Sequence, residues 1–277
     1  MTSGPDTLFS PLSPTREALY SDEPACIVLR ALFCGVPVPR TELEHALGRN
    51  IAFPWIVDES GNLVCPFHVR IVRDLLLFSD YIDATPDAVM GAGETTAILY
   101  DASRPRLRLN RVLDLGCGAG TLALLLARDA EQVVGTDINP RAVDMARRNA
   151  SINGIENAEF RTGDLYEPVA DERFDLIVSQ PPYYPTAAGA ESQTFLHAGE
   201  RGDEIARAVV AGVPDHLAPN GRALVFASWP VDAELLALPG FHIEQIHSPA
   251  AEIPGTRQTL TIIRREDMAG YDDRSLL

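Results

Sequence analysis

Through the second half of the chain, short apolar runs alternate with amphipathic stretches. Arg111 to Leu115 reads as an apolar strand, and Thr121 to Arg128 (TLALLLAR) starts a helix. Gln132 to Asp137 is a second apolar strand, followed by a helix from Arg141 to Ile152. Asn139-Pro140 supplies its cap and first turn, and Asn153-Gly154 closes it. Glu159 to Leu165 and Phe174 to Ser179 read as third and fourth strands. A helix from Asp203 to Leu217 ends at Pro219-Asn220-Gly221, and Arg222 to Ser228 is a fifth strand. A short helix over Val231 to Leu238 and a strand pair, Phe241 to Ser248 and Arg257 to Arg264, complete the pattern. This alternation predicts an α/β domain built on a mainly parallel sheet.

The first third has a different rhythm. Residues 1–14 are rich in Pro, Ser and Thr and read as a flexible leader. Thr15 to Cys34 has helical character that Pro24 should split. Thr41-Glu42-Leu43-Glu44 forms a capping box opening a helix that ends at Gly48. Phe53 to Val57 and Leu63 to Val69 read as strands around the turn Glu59-Ser60-Gly61-Asn62. Two helices and a hairpin suggest a small α+β, winged-helix-like unit over 15–85. The main domain then covers 86–277, with the junction at Asp80 to Pro86. The small unit is acidic and lacks a basic recognition helix, so a substrate-gripping or dimerising role suits it better than nucleic-acid binding.

Candidate chemistry is concentrated where the apolar strands end. Asp114-Leu115-Gly116-Cys117-Gly118-Ala119-Gly120 is a D-x-G-x-G-x-G turn between strand and helix. Its glycines permit a sharp turn and close approach of a ligand to the main chain, next to unpaired helix N–H groups. It is not the dinucleotide G-x-G-x-x-G. Asp114 would repel a pyrophosphate, whereas the ammonium and sulfonium of S-adenosylmethionine tolerate it. Asp137 ends the second strand 23 residues further on, where an acid takes both ribose hydroxyls. Asp164, on the third strand, can accept from an adenine amine. The fourth strand runs into Gln180-Pro181-Pro182-Tyr183.

In these residues the chain resembles the class I S-adenosylmethionine-dependent methyltransferases. It is most similar to the branch with N-P-P-Y after strand four, which includes glutamine methyltransferases of peptide release factors and amine methyltransferases of guanine and adenine. The resemblance spans about Met90 to Arg264. It implies a Rossmann-like sheet of order 3-2-1-4-5-7-6 with strand seven antiparallel, and S-adenosylmethionine as cofactor. The implied cofactor set is Thr95, Asp114, Gly116, Cys117, Gly118, Gly120, Asp137, Ile138, Asn139, Asp164, Leu165 and Gln180. Gly93-Glu94-Thr95 is similar to the P-E-T segment lying over the cofactor in the glutamine-modifying relatives. Thr95 would reach the methionine carboxylate or simply cap a helix.

The family's catalytic roles fall on Gln180, Pro181 and Tyr183. In the relatives an Asn side-chain oxygen and the first Pro carbonyl accept from a planar NH₂ group, and the aromatic ring stacks on it. Gln180 replaces that Asn and adds a methylene and a torsion; the alternative for it is a structural strand-end residue. His197 and Glu200, in the following loop, are candidate bases or ordinary solvated loop residues.

Composition narrows the substrate. The formal net charge of −16 disfavours a polyanionic nucleic acid. Arg104, Arg106, Arg108 and Arg111, with Arg147 and Arg148, form a local basic patch or a solubilising surface. The expected reaction is N-methylation of a small molecule or a protein side chain. The alternatives are an RNA-base methyltransferase and an inactive binding subunit with the same fold. Cys26, Cys34, Cys65 and Cys117 make no C-x-x-C pair, and the histidines lack metal-ligand spacing, so no metal is expected. No apolar run is long enough to span a membrane, and no secretory signal is legible, which points to the cytoplasm.

Overall fold

The computed structural model describes residues 21–48, 55–81, 85–105, 107–185, 196–230, 237–247 and 256–266. The expected leader, the short helix from Val231, the tail after Arg265 and Arg106 fall mainly or wholly outside the described residues. The chain divides into two compact units, Met1–Tyr81 and Ile82–Leu277.

The first unit contains α1 (Pro24–Phe33), β1 (Val38–Pro39), α2 (Arg40–Leu47), β2 (Ile56–Val57), β3 (Asn62–Val64), β4 (His68–Val72) and β5 (Leu75–Ser79). Ile27, Ala31, Val38, Leu43 and Leu63 form its core. Pro24 begins α1, where a first-turn proline lacks only an N–H that would be unpaired anyway, and residues 15–20 of the expected helical stretch lie outside the described residues. Two expectations change here. Helix α2 starts at Arg40 after Pro39 and has no side-chain cap, so Thr41 lies inside the first turn and the capping box is not made. Cys65 to Phe67 separates β3 from β4, and β4 pairs instead with β5 in a hairpin that the sequence reading missed.

The second unit contains α3 (Glu94–Ser103), β6 (Leu109–Leu115), α4 (Thr121–Leu126), β7 (Ala130–Asp137), α5 (Pro140–Ile152), β8 (Ala158–Thr162), β9 (Phe174–Ser179), α6 (Glu204–His216), β10 (Leu217–Pro230), β11 (Phe241–His247) and β12 (Thr256–Arg265). These seven strands form one sheet of order β8-β7-β6-β9-β10-β12-β11. The first five are parallel, and β12 runs antiparallel between β10 and β11. Counted within the unit this is 3-2-1-4-5-7-6, the order implied by the resemblance.

Alternation along the strands builds both faces. Leu113, Leu115, Ile177, Ala223, Val225 and Ala227 share a core with Val209, Val210 and Val213 of α6. Residues of the other parity, including Val112, Leu176, Val178, Leu224 and Phe226, are buried as well, so the sheet is covered on both sides. Two boundaries differ from expectation. Strand β8 ends at Thr162, which leaves Asp164 in the turn beyond it. The Pro219-Asn220-Gly221 segment does not end a helix but forms an irregularity within β10, between Leu217 and Arg222. Gly221 is needed there because a Cβ would lie 2.8 Å from the Phe174 carbonyl oxygen.

The chain leaves β6 toward β7 and β8, then returns to β9 on the other side of β6. This change of direction opens a crevice at the carboxyl ends of β6 and β9, where open parallel sheets bind ligands. The turn above it depends on Gly120, the N-cap of α4, which has φ +82°. A Cβ there would sit 2.9 Å from the Ala146 Cβ and 3.2 Å from the Phe160 ring. Gly120→Ala should therefore cost about 2 kcal/mol or more through left-handed strain and overpacking. Chemical denaturation checks this, and a loss below about 0.5 kcal/mol would contradict it.

Candidate active site

The crevice holds a cavity of about 580 Å³, within the range of small-molecule sites. Its floor is the glycine turn. The N–H groups of Gly116 and Cys117 both donate to the Thr136 carbonyl, at 2.8 and 2.9 Å, which anchors the turn to β7. Gly116 has φ +77°, and a Cβ built on it would meet no atom within 4 Å. Main chain is thus presented to open space, as a ligand cradle requires.

Two acids brace this turn. Asp114 is only 2% exposed, and its Oδ2 accepts the Ala123 N–H of α4 at 2.9 Å. It lines the cavity, but this bond aims its carboxylate at the helix start as well. Asp137 accepts the Gly118 N–H at 2.8 Å on Oδ2 and the Asn139 N–H at 2.9 Å on Oδ1. Each oxygen keeps a lone pair for a further donor. Asn139 takes up its predicted cap position, accepting from the Arg141 N–H at 3.0 Å, and its amide donates to the Asp87 carbonyl at 2.9 Å. That contact ties the segment before α3 to the tip of β7, so Ala88 to Gly93 forms a wall of the cavity.

Cys117, Gly118, Ile138, Asp164 and Leu165 also line the cavity, together with Thr95, Gln180, Pro181 and Tyr183. Leu165 has φ +46°, unusual for a non-glycine residue, and its carbonyl accepts from the Thr136 hydroxyl at 3.3 Å. Gly120 stands apart from this group, packed against α5 and β8 as described above. His197 lines the cavity, whereas Glu200 is exposed and outside the lining.

Gln180 projects from the tip of β9. Its Nε2 donates to Thr95 Oγ1 at 2.7 Å, and its Oε1 accepts from Thr96 Oγ1 at 3.3 Å. Thr96 Oγ1 in turn accepts the Gly93 N–H at 3.2 Å. The helix cap is Gly93, so Thr95 is not a cap. Thr96 had no place in the sequence reading; the Thr-Thr pair opening a helix was the available signal. Tyr183 stacks on Tyr184 with ring centroids 5.4 Å apart. The main chain around it is braced by hydrogen bonds between Tyr184 and the Leu196–Ala198 segment. Gly202 packs so closely that a Cβ would lie 2.9 Å from the Tyr183 carbonyl oxygen.

The cavity is electronegative. Asp114, Asp137 and Asp164 line it, and among the described residues its lining includes no lysine or arginine. Burial pushes the Asp114 carboxyl up to about 7, opposed by the Ala123 N–H and reinforced by Asp137. Asp137 is raised too, mainly by burial, with its two backbone donors opposing the rise. Burial and both acids hold the Cys117 thiol well above its ordinary value. A cationic ligand offsets the burial cost of both carboxylates, and the cavity therefore fits a sulfonium–ammonium compound and not a polyphosphate. The basic patch lies elsewhere. Arg108 and Arg111 sit at the amino-terminal end of β6, the opposite end from the cavity, and Arg111 pairs with Glu172. Arg147 pairs with Asp144.

Asp114 makes stability depend on pH in a definite direction. Its folded pKa is raised, so its contribution is full below about pH 4 and is lost as pH rises through about 7. In ligand-free protein, Asp114→Asn should gain ~1–3 kcal/mol on wild type between pH 5 and 8. Denaturation at both pH values checks this, and a difference independent of pH would contradict it.

With this geometry in place, similarity to known proteins becomes specific. The chain is 37% identical over 152 residues to a release factor glutamine methyltransferase of Geobacter sulfurreducens, covering 51% of this chain and 53% of that protein. It is 35% identical over 167 residues to a ribosomal protein uL3 glutamine methyltransferase of Bradyrhizobium diazoefficiens, covering 56% and 51%. The chain thus spans about half the length of the curated relatives it matches. Among solved structures, Trm5b from Pyrococcus abyssi shares the fold at a TM-score of 0.50 and 16% identity, over 73% of this chain and 58% of that one. The family model described as "Methyltransferase small domain" matches residues 93–238, more than half of the chain. The chain therefore belongs to the methyltransferase small domain family, within the class I S-adenosylmethionine-dependent methyltransferases.

Proposed function

We propose that the protein methylates the side-chain amide nitrogen of a glutamine in a protein substrate, with S-adenosylmethionine as methyl donor. The observation that carries this reading is the Gln180-Pro181 pair at the tip of β9, set at the edge of an acidic cavity. Names of the relatives above support the glutamine. Bound in the cavity, S-adenosylmethionine supplies an electrophilic methyl group on its sulfonium.

The residues divide the work by position. Asp137 has lone pairs left for the two ribose hydroxyls, and Asp164, with Ile138 and Leu165, flanks the place of the adenine. Asp114 and the turn Gly116 to Gly118 hold the methionine portion, with Thr95 at its carboxylate. On the substrate side, Gln180 Oε1 and the Pro181 carbonyl each accept one hydrogen of a planar NH₂ group. Two fixed acceptors hold that nitrogen with its lone-pair direction facing the cavity, and such orientation removes much of the entropic barrier to transfer. The consecutive prolines fix φ and keep the carbonyl in place. Tyr183, half-buried, offers a face for the flat amide and excludes water.

Charge supports a protein over a nucleic acid. The net charge is −16, and the arginines of β6 lie at the far end of the sheet from the cavity. Labelled methyl transfer into fractionated extract tests the proposal directly. Label is expected in the protein pool, recovered as N5-methylglutamine by mass spectrometry; recovery in RNA or small molecules would overturn it. Asp137→Ala should weaken S-adenosylmethionine binding at least 100-fold by calorimetry, and unchanged affinity would remove Asp137 from the ribose site.

A further inference from the structure

We propose that Thr95 and Thr96 are positioning residues that fix the orientation of the Gln180 carboxamide, so that its oxygen and not its NH₂ group faces the substrate amide. The proposal rests on the reading of Gln180 as the acceptor for that amide.

A glutamine carboxamide is nearly symmetric in shape but opposite in chemistry at its two ends. Its last torsion is broad and roughly two-fold, so an untethered side chain exchanges oxygen and nitrogen with little resistance. Only the oxygen can accept a substrate N–H; the amide nitrogen would oppose one donor with another. Replacing the Asn of related motifs by Gln adds a torsion and sharpens this problem.

The opening of α3 supplies the solution. Thr96 Oγ1 already accepts the Gly93 N–H at 3.2 Å. Its single hydroxyl proton is then directed to Gln180 Oε1, at 3.3 Å. Thr95 Oγ1 takes the other end, accepting from Nε2 at 2.7 Å. In this arrangement one hydroxyl acts as donor and its neighbour as acceptor, and with the Thr95 proton committed to the cofactor carboxylate the pair distinguishes the two ends of the amide. In this state Oε1 has used one lone pair on Thr96 and retains one for the substrate. Thr95 keeps its own hydroxyl proton for a cofactor carboxylate. The contacts join positions 84 and 85 residues apart, which makes the tip of β9 and the start of α3 one unit. With the added methylene, the Gln180 carboxamide bonds both hydroxyls.

Two readouts test this, one of them independent of catalysis. By NMR of the ligand-free protein, the Gln180 side-chain NH₂, assigned by its loss in Gln180→Asn, should exchange slowly with solvent. Thr95→Val should accelerate that exchange about 10-fold, and Thr95→Ser should restore it. In the transfer assay, Thr95→Val and Thr96→Val should each lower kcat about 10-fold and leave the KM for protein substrate within about twofold. Thr96→Ser, which keeps the hydroxyl, should recover the rate, and the double-mutant comparison with Gln180→Asn separates the contact with Gln180 from the contact with Gly93. In a Gln180→Asn background the valine substitutions should change kcat by less than about twofold. Equal losses in both backgrounds, or exchange unaffected by Thr95→Val, would overturn the proposal. If wild type transfers no methyl to protein, the functional reading fails, while the exchange measurement still decides whether the threonines hold the amide.

Discussion

Two carboxylates, Asp114 and Asp137, sit side by side at the ends of β6 and β7, and the site is assembled on their bonds to backbone N–H groups. Asp114 holds the start of α4 through Ala123, and Asp137 holds Gly118 and the start of the segment leading to α5. Without these acceptors the N–H groups of Gly118, Ala123 and Asn139 would lose their partners, a cost of the order of 1–3 kcal/mol for the fully buried Ala123. Buried Asp114 is also repelled by half-buried Asp137, and both are raised above their ordinary range, mainly by burial. The ligand-free site therefore carries an electrostatic debt that a cation relieves.

That constraint links fold to chemistry. The parallel order β8-β7-β6-β9-β10 brings the acids of β6 and β7 and the Gln180-Pro181 tip of β9 to one edge of the sheet. The segment before α3 closes the opposite wall through the Asn139–Asp87 bond, and the start of α3 reaches Gln180. Cofactor side and substrate side are thus adjacent because β6 and β9 are neighbours on either side of the change in winding direction. The sheet also sets what the arginines of β6 can do. At the other end of the strand Arg111 pairs with Glu172, Arg108 donates to the Ala130 carbonyl, and neither lines the cavity.

Much of this was legible in the sequence, for identifiable reasons. The apolar runs of β6, β7 and β9 are each buried on both faces, so their signal is strong and their ends were read closely. The D-x-G-x-G-x-G turn and Asp137 carry their spacing in one continuous stretch. The first unit was harder to read. Its strands are two to five residues long, and Thr41 lies inside the first turn of α2 where the sequence offered it as a cap. The Gln180 clamp was not legible, because its partners are 84 and 85 residues away and a Thr-Thr pair has many uses. Gly120 shows the opposite case: it belongs to the motif, yet its small size serves helix packing against Ala146 and Phe160.

The most direct measurement is a crystal structure of the protein grown with S-adenosylmethionine. The ligand should lie over Gly116 to Gly118, with both ribose hydroxyls on the Asp137 carboxylate and the sulfonium on the Gln180 side. Clear density for the ligand elsewhere, or with its ribose turned away from Asp137, would contradict the central role of the paired acids.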